Sequence, residues 1–461
     1  MRTWLGVVLA LGGCSFPKLP LINDAPSDAD HKDAFDQNDG RAEVARVPVL
    51  PNRDIDMLFI VDDSPSMLDK QTNLKAAFPA FVNELNTLEG GLPNVHIGVV
   101  TTDVGTKGAE DATAAPGIGS GPGSCSGSGK NGNLQTNGST LISGNFISDT
   151  KNTDGTRTKN YTGVLSDAFS AAASVGAGGC GFEQDLASMK LALQNNPANA
   201  GFLRQNAGLA IIVLTDEDDC SMDHTSMLGS DTSTLGPLQS FRCTRFGIKC
   251  DVGGADSDAM NMVGAKGMCH TDDSSAYLTR LDSYATFLKG IKPDPNTIVF
   301  ASIAAHSTPF DVELRTPPGG GSAIPALAHS CNYTGANGPE VGDPAVRIEQ
   351  LAGMFARHTT QTVCSQDLSA QLIEVGRHVR GLAGDSCLTE EIALPADCVV
   401  ADDNGTTQKT LLQCGGAITT DCYTLTVDAA KCSTASHLRL DVVRSAPPPT
   451  GNVTVARCRL P

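Results

Sequence analysis

Apolar residues along this chain follow two alternating rhythms. Ile55–Val61, Val95–Thr101, Gly208–Leu214 and Asn296–Ile303 are mostly apolar runs of strand length, rich in β-branched residues. Between and after them, apolar residues recur every three or four positions. Leu74, Phe78, Phe81, Leu85 and Leu88 form one such series; Leu186, Met189 and Leu193 form another. Tyr277 to Leu288, Ile348 to Phe355 and Leu368 to Val375 supply three more. Buried strands separated by amphipathic helices predict an α/β fold, a doubly wound and mostly parallel sheet. Pro79 interrupts the first helical series and predicts a kink or two helical pieces. Residues 105–160, dominated by Gly, Ser, Thr and Asn, read as a long insertion with an edge strand near Asn145–Ser148. Residues 221–270 read as a second insertion, and 317–342 as a loop. From about Asp385 the texture changes to short alternating runs among six cysteines, which predicts a small C-terminal disulfide-rich β module.

Two strand ends carry oxygen-rich side chains. Ile55–Val61 stops at Asp62-Asp63-Ser64-Pro65-Ser66, where Ser-Pro suits a helix start. Gly208–Leu214 stops at Thr215-Asp216. Ligand sites of open α/β sheets lie at the carboxyl ends of strands. Asp62, Ser64, Ser66 and Asp216 together offer hard oxygen donors suited to Mg²⁺, and neutral hydroxyls leave net positive charge on the metal. An incoming carboxylate could then complete the shell.

Asp62-x-Ser64-x-Ser66, followed in chain order by Thr215-Asp216, resembles the cation motifs of the von Willebrand factor A domain. That resemblance implies a Rossmann-like domain over residues 53–384 that binds Mg²⁺ (or Ca²⁺ or Mn²⁺) and, through it, a protein partner. In that family a Thr from an intervening loop also contacts the cation. Here the matching Gly-rich loop, Gly176 to Glu183, has no Thr, and Glu183 or Gln184 stands near its place. A direct Glu183 ligand would add negative charge and favour Ca²⁺. Other candidates are weaker. His96 reads as structural and His306 as a loop residue. Ser124 to Asn131 lacks the features of a phosphate loop, and no strand precedes Gly123-Ser-Cys125-Ser-Gly127 as a nucleophile elbow would require.

The N-terminus has a basic residue at Arg2, an apolar run from Trp4 to Leu11, and Leu11-Gly12-Gly13-Cys14. This resembles the signal peptide and lipobox of bacterial lipoproteins. The resemblance implies removal of residues 1–13, lipidation of Cys14 and, with Ser15 next, an outer-membrane location. Residues 14–52, polar and acidic, read as a disordered tether. A net charge of −18 argues against nucleic acid as a partner. Fifteen cysteines less Cys14 leave an even fourteen with no C-x-x-C pair, which predicts disulfides and not zinc ligation by cysteine.

Three functions compete on this reading. The first is a lipid-anchored cell-envelope protein that adheres to a partner through a metal; the second is a metal-dependent hydrolase; the third is a structural envelope protein with a metal-stabilised fold. No H-E-x-x-H or H-x-x-E-H pattern occurs, and the reading favours binding without catalysis.

Overall fold

The structure is a computed structural model that describes residues 40–48, 52–317, 320–446 and 452–461. The leader, Cys14 and most of the expected tether lie outside the described residues.

The centre is a seven-stranded sheet. Its order is Arg357–Thr362, Ile298–Ala304, Gly208–Leu214, Asp54–Val61, Asn94–Thr101, Ile147–Lys151 and Arg157–Lys159. The first five are mutually parallel, and the last two join antiparallel at one edge. Every residue from Ile55 to Val61 and from Gly208 to Leu214 is buried. Strands covered on both faces need no polar alternation, and the unbroken apolar runs follow from that. Helices Leu68–Asn86, Leu165–Ala172 and Ser369–Leu382 pack on one face; Asp185–Leu193, Leu281–Ile291 and Val346–Gly353 pack on the other. The doubly wound, mostly parallel α/β sheet is therefore the observed fold.

The chain winds outward from Asp54–Val61 through Asn94–Thr101, then returns to place Gly208–Leu214 on the other side. The winding direction reverses between those two flanking strands, and such reversals open a crevice at the carboxyl ends. Val61 and Leu214 are register partners, so Asp62 and Thr215 emerge side by side.

Several expectations are revised. Leu68–Asn86 is one continuous helix, because Pro79 faces solvent, where water can satisfy the carbonyl it strands. Tyr277 and Leu278 precede the helix that starts at Leu281. The second insertion and the segment after Ala304 are not featureless. Ile248–Val252, Gly264–Thr271, Phe310–Arg315 and Ile324–Leu327 make a four-stranded sheet, and Cys331–Gly335 pairs with Gly338–Gly342 as a hairpin.

The tether is also corrected. Ala42–Pro48 is a strand, paired antiparallel with Val453–Cys458 at the edge of a six-stranded C-terminal sheet. Val44 and Ala45 are buried there against Leu388, Val400 and Ala456. Only these few apolar residues interrupt a polar sequence, too few to predict a strand, and pairing with Val453–Cys458 supplies what the sequence lacks.

All fourteen described cysteines are paired: Cys125–Cys180, Cys220–Cys243, Cys250–Cys269, Cys331–Cys364, Cys387–Cys432, Cys398–Cys458 and Cys414–Cys422. The last three brace the C-terminal module. Such density marks chains that fold in an oxidising compartment. No helix among the described residues is long and apolar enough to cross a membrane.

Candidate metal centre

The loop after Asp54–Val61 turns sharply because the Asp62 carboxylate folds back on it. Asp62 Oδ1 accepts the Ser64 backbone N–H at 2.7 Å. Ser64 Oγ and Ser66 Oγ lie 3.1 Å apart, and Ser66 Oγ donates to Asp216 Oδ1 at 3.0 Å. Thr215 Oγ1 donates to Asp62 Oδ2 at 3.0 Å and closes the circuit. Asp62, Ser64, Ser66 and Asp216 thus form one continuous polar chain across two strand ends. Gln71, from the following helix, donates to the Asp62 and Gly176 carbonyls at 2.8 and 2.7 Å, which ties this loop to the Gly-rich loop. Gly179 is required there: a Cβ on it would lie 2.3 Å from Asp63 Oδ1.

The structure separates the two candidates for the missing Thr. Gln184 Oε1 accepts the Met222 N–H at 3.2 Å, and its amide nitrogen points at the Gly105 and Lys107 carbonyls. It is a packing residue. Glu183 is 1% exposed, and its Oε2 has no hydrogen-bond partner among the described residues. It lines a cavity of about 360 Å³ together with Glu217, Asp218 and Asp343. Asp185, unforeseen in the sequence, is fully buried with both carboxylate oxygens unpartnered.

The electrostatics are strained in one direction. Burial, and then the Asp216 carboxylate, push Asp62 up to about 7. Burial and the Asp343 charge lift Glu217 to about 8, and burial lifts Asp218 to about 7 against the Arg347 N–H that it accepts. Glu183 is held well above the usual carboxylate range by burial and by Glu217. Burial lifts Asp216 as well, opposed by Lys70, whose Nζ lies 2.9 Å from Asp216 Oδ2 and 2.6 Å from Glu340 Oε2. Lys70 at Asp216 and Arg347 at Asp218 and Asp219 are fewer than the buried acids around them, a deficit of positive charge that a hard divalent cation would relieve.

Oxygen donors alone, two of them hydroxyls, with an orphaned buried Glu183 oxygen at hand, fit such a cation. The three acids among the predicted donors, Asp62, Glu183 and Asp216, do not bring a carboxylate oxygen each within 4.8 Å of one another. His96 and His306 stay outside the site. His96 Nδ1 contacts the Phe202 carbonyl at 2.8 Å, and His306 Nδ1 contacts Glu349 at 3.2 Å. Disulfides hold the surrounding loops. Cys125–Cys180 fastens the first insertion to the Glu183 loop; Cys220–Cys243 fastens the segment after Asp216; Cys331–Cys364 holds the hairpin that carries Glu340.

No family model matches the chain, and no curated protein does. Solved structures do. The pilus adhesin SpaC from Lactobacillus rhamnosus GG matches at 12% identity over 90% of this chain and 38% of its own, with a TM-score of 0.31. A von Willebrand factor type A structure from Catenulispora acidiphila matches at 10% identity over 92% of this chain and 66% of its own, with a TM-score of 0.29. The conserved hypothetical protein BatB from Bacteroides thetaiotaomicron matches at 10% identity over 71% of this chain and 98% of its own, with a TM-score of 0.27. The chain therefore spans less than two thirds of the length of the first two. The neighbours include a protein described as von Willebrand factor type A, the family that the Asp62 motif resembles.

Proposed function

We propose that this chain is a lipid-anchored cell-envelope protein that binds a protein partner through a divalent cation held by Asp62, Ser64, Ser66, Glu183 and Asp216. The single observation that carries the reading is the hydrogen-bonded chain from Asp62 through Ser64 and Ser66 to Asp216 at the sheet's switch point. When bound, the cation would offer an open coordination position to an acidic side chain of the partner. The chain's own residues would do the rest. Asp62 orders the loop; the two hydroxyls present neutral oxygens; Glu183 would add a buried carboxylate with an unpartnered oxygen. The reading is one of binding without turnover.

Mg²⁺ titration of the folded chain, followed by capture from an envelope fraction with and without EDTA, tests the reading. Wild type should bind the ion and retain a partner only while the ion is present. Asp62→Ala should lose both while still melting cooperatively. Undiminished ion binding by that variant would exclude the site.

A further inference from the structure

A second cluster lies away from the sheet crevice, where the sheet domain meets the C-terminal module. Glu374 and His378 are one turn apart on helix Ser369–Leu382, so they share a face. Glu390 approaches from the first turn of the module. One ligand atom from each of the three lies within 4.8 Å of the others, and all three side chains are partly buried. Glu374 Oε1 is 3.4 Å from His378 Nε2. Its other oxygen is held by Arg377 at 2.6 Å, which orients the carboxylate and leaves Oε1 toward the imidazole. The Glu390 carboxylate accepts no hydrogen bond from the described residues, although it faces a second carboxylate. Burial, and then the Glu374 charge, raise it above its ordinary range. A cavity of about 270 Å³ opens beside His378 and Glu390, between the Ala42–Pro48 strand and the helix, with room for water.

We propose that Glu374, His378 and Glu390 form a zinc site that joins the sheet domain to the C-terminal module. The donor set chooses the metal. One imidazole nitrogen with two carboxylate oxygens suits Zn²⁺, and Mg²⁺ or Ca²⁺ would prefer oxygen throughout. Two carboxylates balanced by Arg377 leave a single negative charge for the ion to meet. A water from the cavity would fill the fourth position. Arg377, bonded both to Glu374 and to Ser433 Oγ at 3.0 Å, is the outer partner that fixes the ligand's orientation. The clamp spans two chain segments that no disulfide links: the described cysteine pairs lie either within the sheet domain or within the module.

The test uses the full chain carrying Asp62→Ala, so that ion binding in the crevice does not contribute. Zinc titration, with Co²⁺ absorption as a report of nitrogen and oxygen coordination, should give one equivalent and raise the melting temperature. His378→Gln and Glu390→Gln should each weaken binding by about tenfold or more. Neither should change melting in EDTA by more than a few degrees. Zinc stoichiometry and affinity unchanged in both variants would overturn the site. So would a melting temperature that falls equally with and without zinc, which would mark the cluster as an ion-pair network alone.

Discussion

Asp69 lies one turn beyond the Asp62 loop and holds the hairpin that covers it. Tyr333 donates its hydroxyl to Asp69 Oδ1 at 2.6 Å, the Ala336 N–H donates to Oδ2 at 3.0 Å, and Asn73 donates at 2.9 Å. Burial alone would raise this carboxyl; the bond from Tyr333, with the other two, outweighs it and the net shift is downward. A depressed carboxyl pKa contributes stability above the unfolded value, and that stability is lost as pH falls through the folded value. Melting measured below about pH 4 should therefore drop more for wild type than for Asp69→Asn, whose own cost at neutral pH is about 1.5–3 kcal/mol. An identical acid profile for the two would refute the role. Glu183→Gln keeps the shape of the side chain and removes its charge, so Mg²⁺ affinity measured by titration should fall by about tenfold or more. Asp62, Ser64, Ser66 and Asp216 were legible because each stands at the end of an apolar strand, where side-chain chemistry and position coincide. Glu183 against Gln184 was not, since both are buried and only tertiary contacts show that Gln184 is hydrogen-bonded while Glu183 Oε2 is unpartnered among the described residues. Asp185 carried no signal either; an acid in a first helical turn is ordinary in sequence.

At the level of elements, aromatic packing decides what the central face looks like. Phe169 stacks on Phe78 with ring centroids 3.6 Å apart and meets Phe59 edge-on at 4.8 Å. Phe169→Ala should cost about 3–5 kcal/mol in urea unfolding, with Leu165–Ala172 the first helix to lose protection from hydrogen exchange. A loss below about 1 kcal/mol would mean that the face repacks without it. That helix is two turns long and was not foreseen: although Leu165, Ala168, Phe169 and Ala172 keep a helical period, two of the four are alanines that stand out little from a Ser- and Gly-rich surround. The strand Arg357–Thr362 escaped for the opposite reason. As an edge strand it reads Arg-His-Thr-Thr-Gln-Thr, polar throughout, and what pins it is pairing with Ile298–Ala304. The four-stranded sheet in the second insertion and beyond was hidden in the same way, by strands that bury only an occasional side chain.

Over the whole molecule, the sheet domain and the module share one buried cation. Arg380 is 1% exposed and reaches Glu84 at 2.5 Å, Asp385 at 2.8 Å and the Lys431 carbonyl at 2.9 Å. Removing such a guanidinium leaves Glu84 and Asp385 buried and unpaired, so Arg380→Ala should cost about 3–5 kcal/mol and loosen both parts together. Two separate melting transitions in that variant, against one in wild type, would be the readout; an unchanged single transition would show that other contacts hold the parts. The change of texture near Asp385 announced a module with its own cysteines. It could not announce that the module borrows a strand from the other end of the chain.

That borrowed strand bears on where the protein can be cut. A recombinant fragment begun at Arg53, where the sequence reading starts the folded domain, would strip the partner from Val453–Cys458 and expose a row of unsatisfied amides and carbonyls. Such a fragment should self-associate in size-exclusion chromatography, and a synthetic peptide of residues 40–48 should restore the monomer by filling the vacant edge.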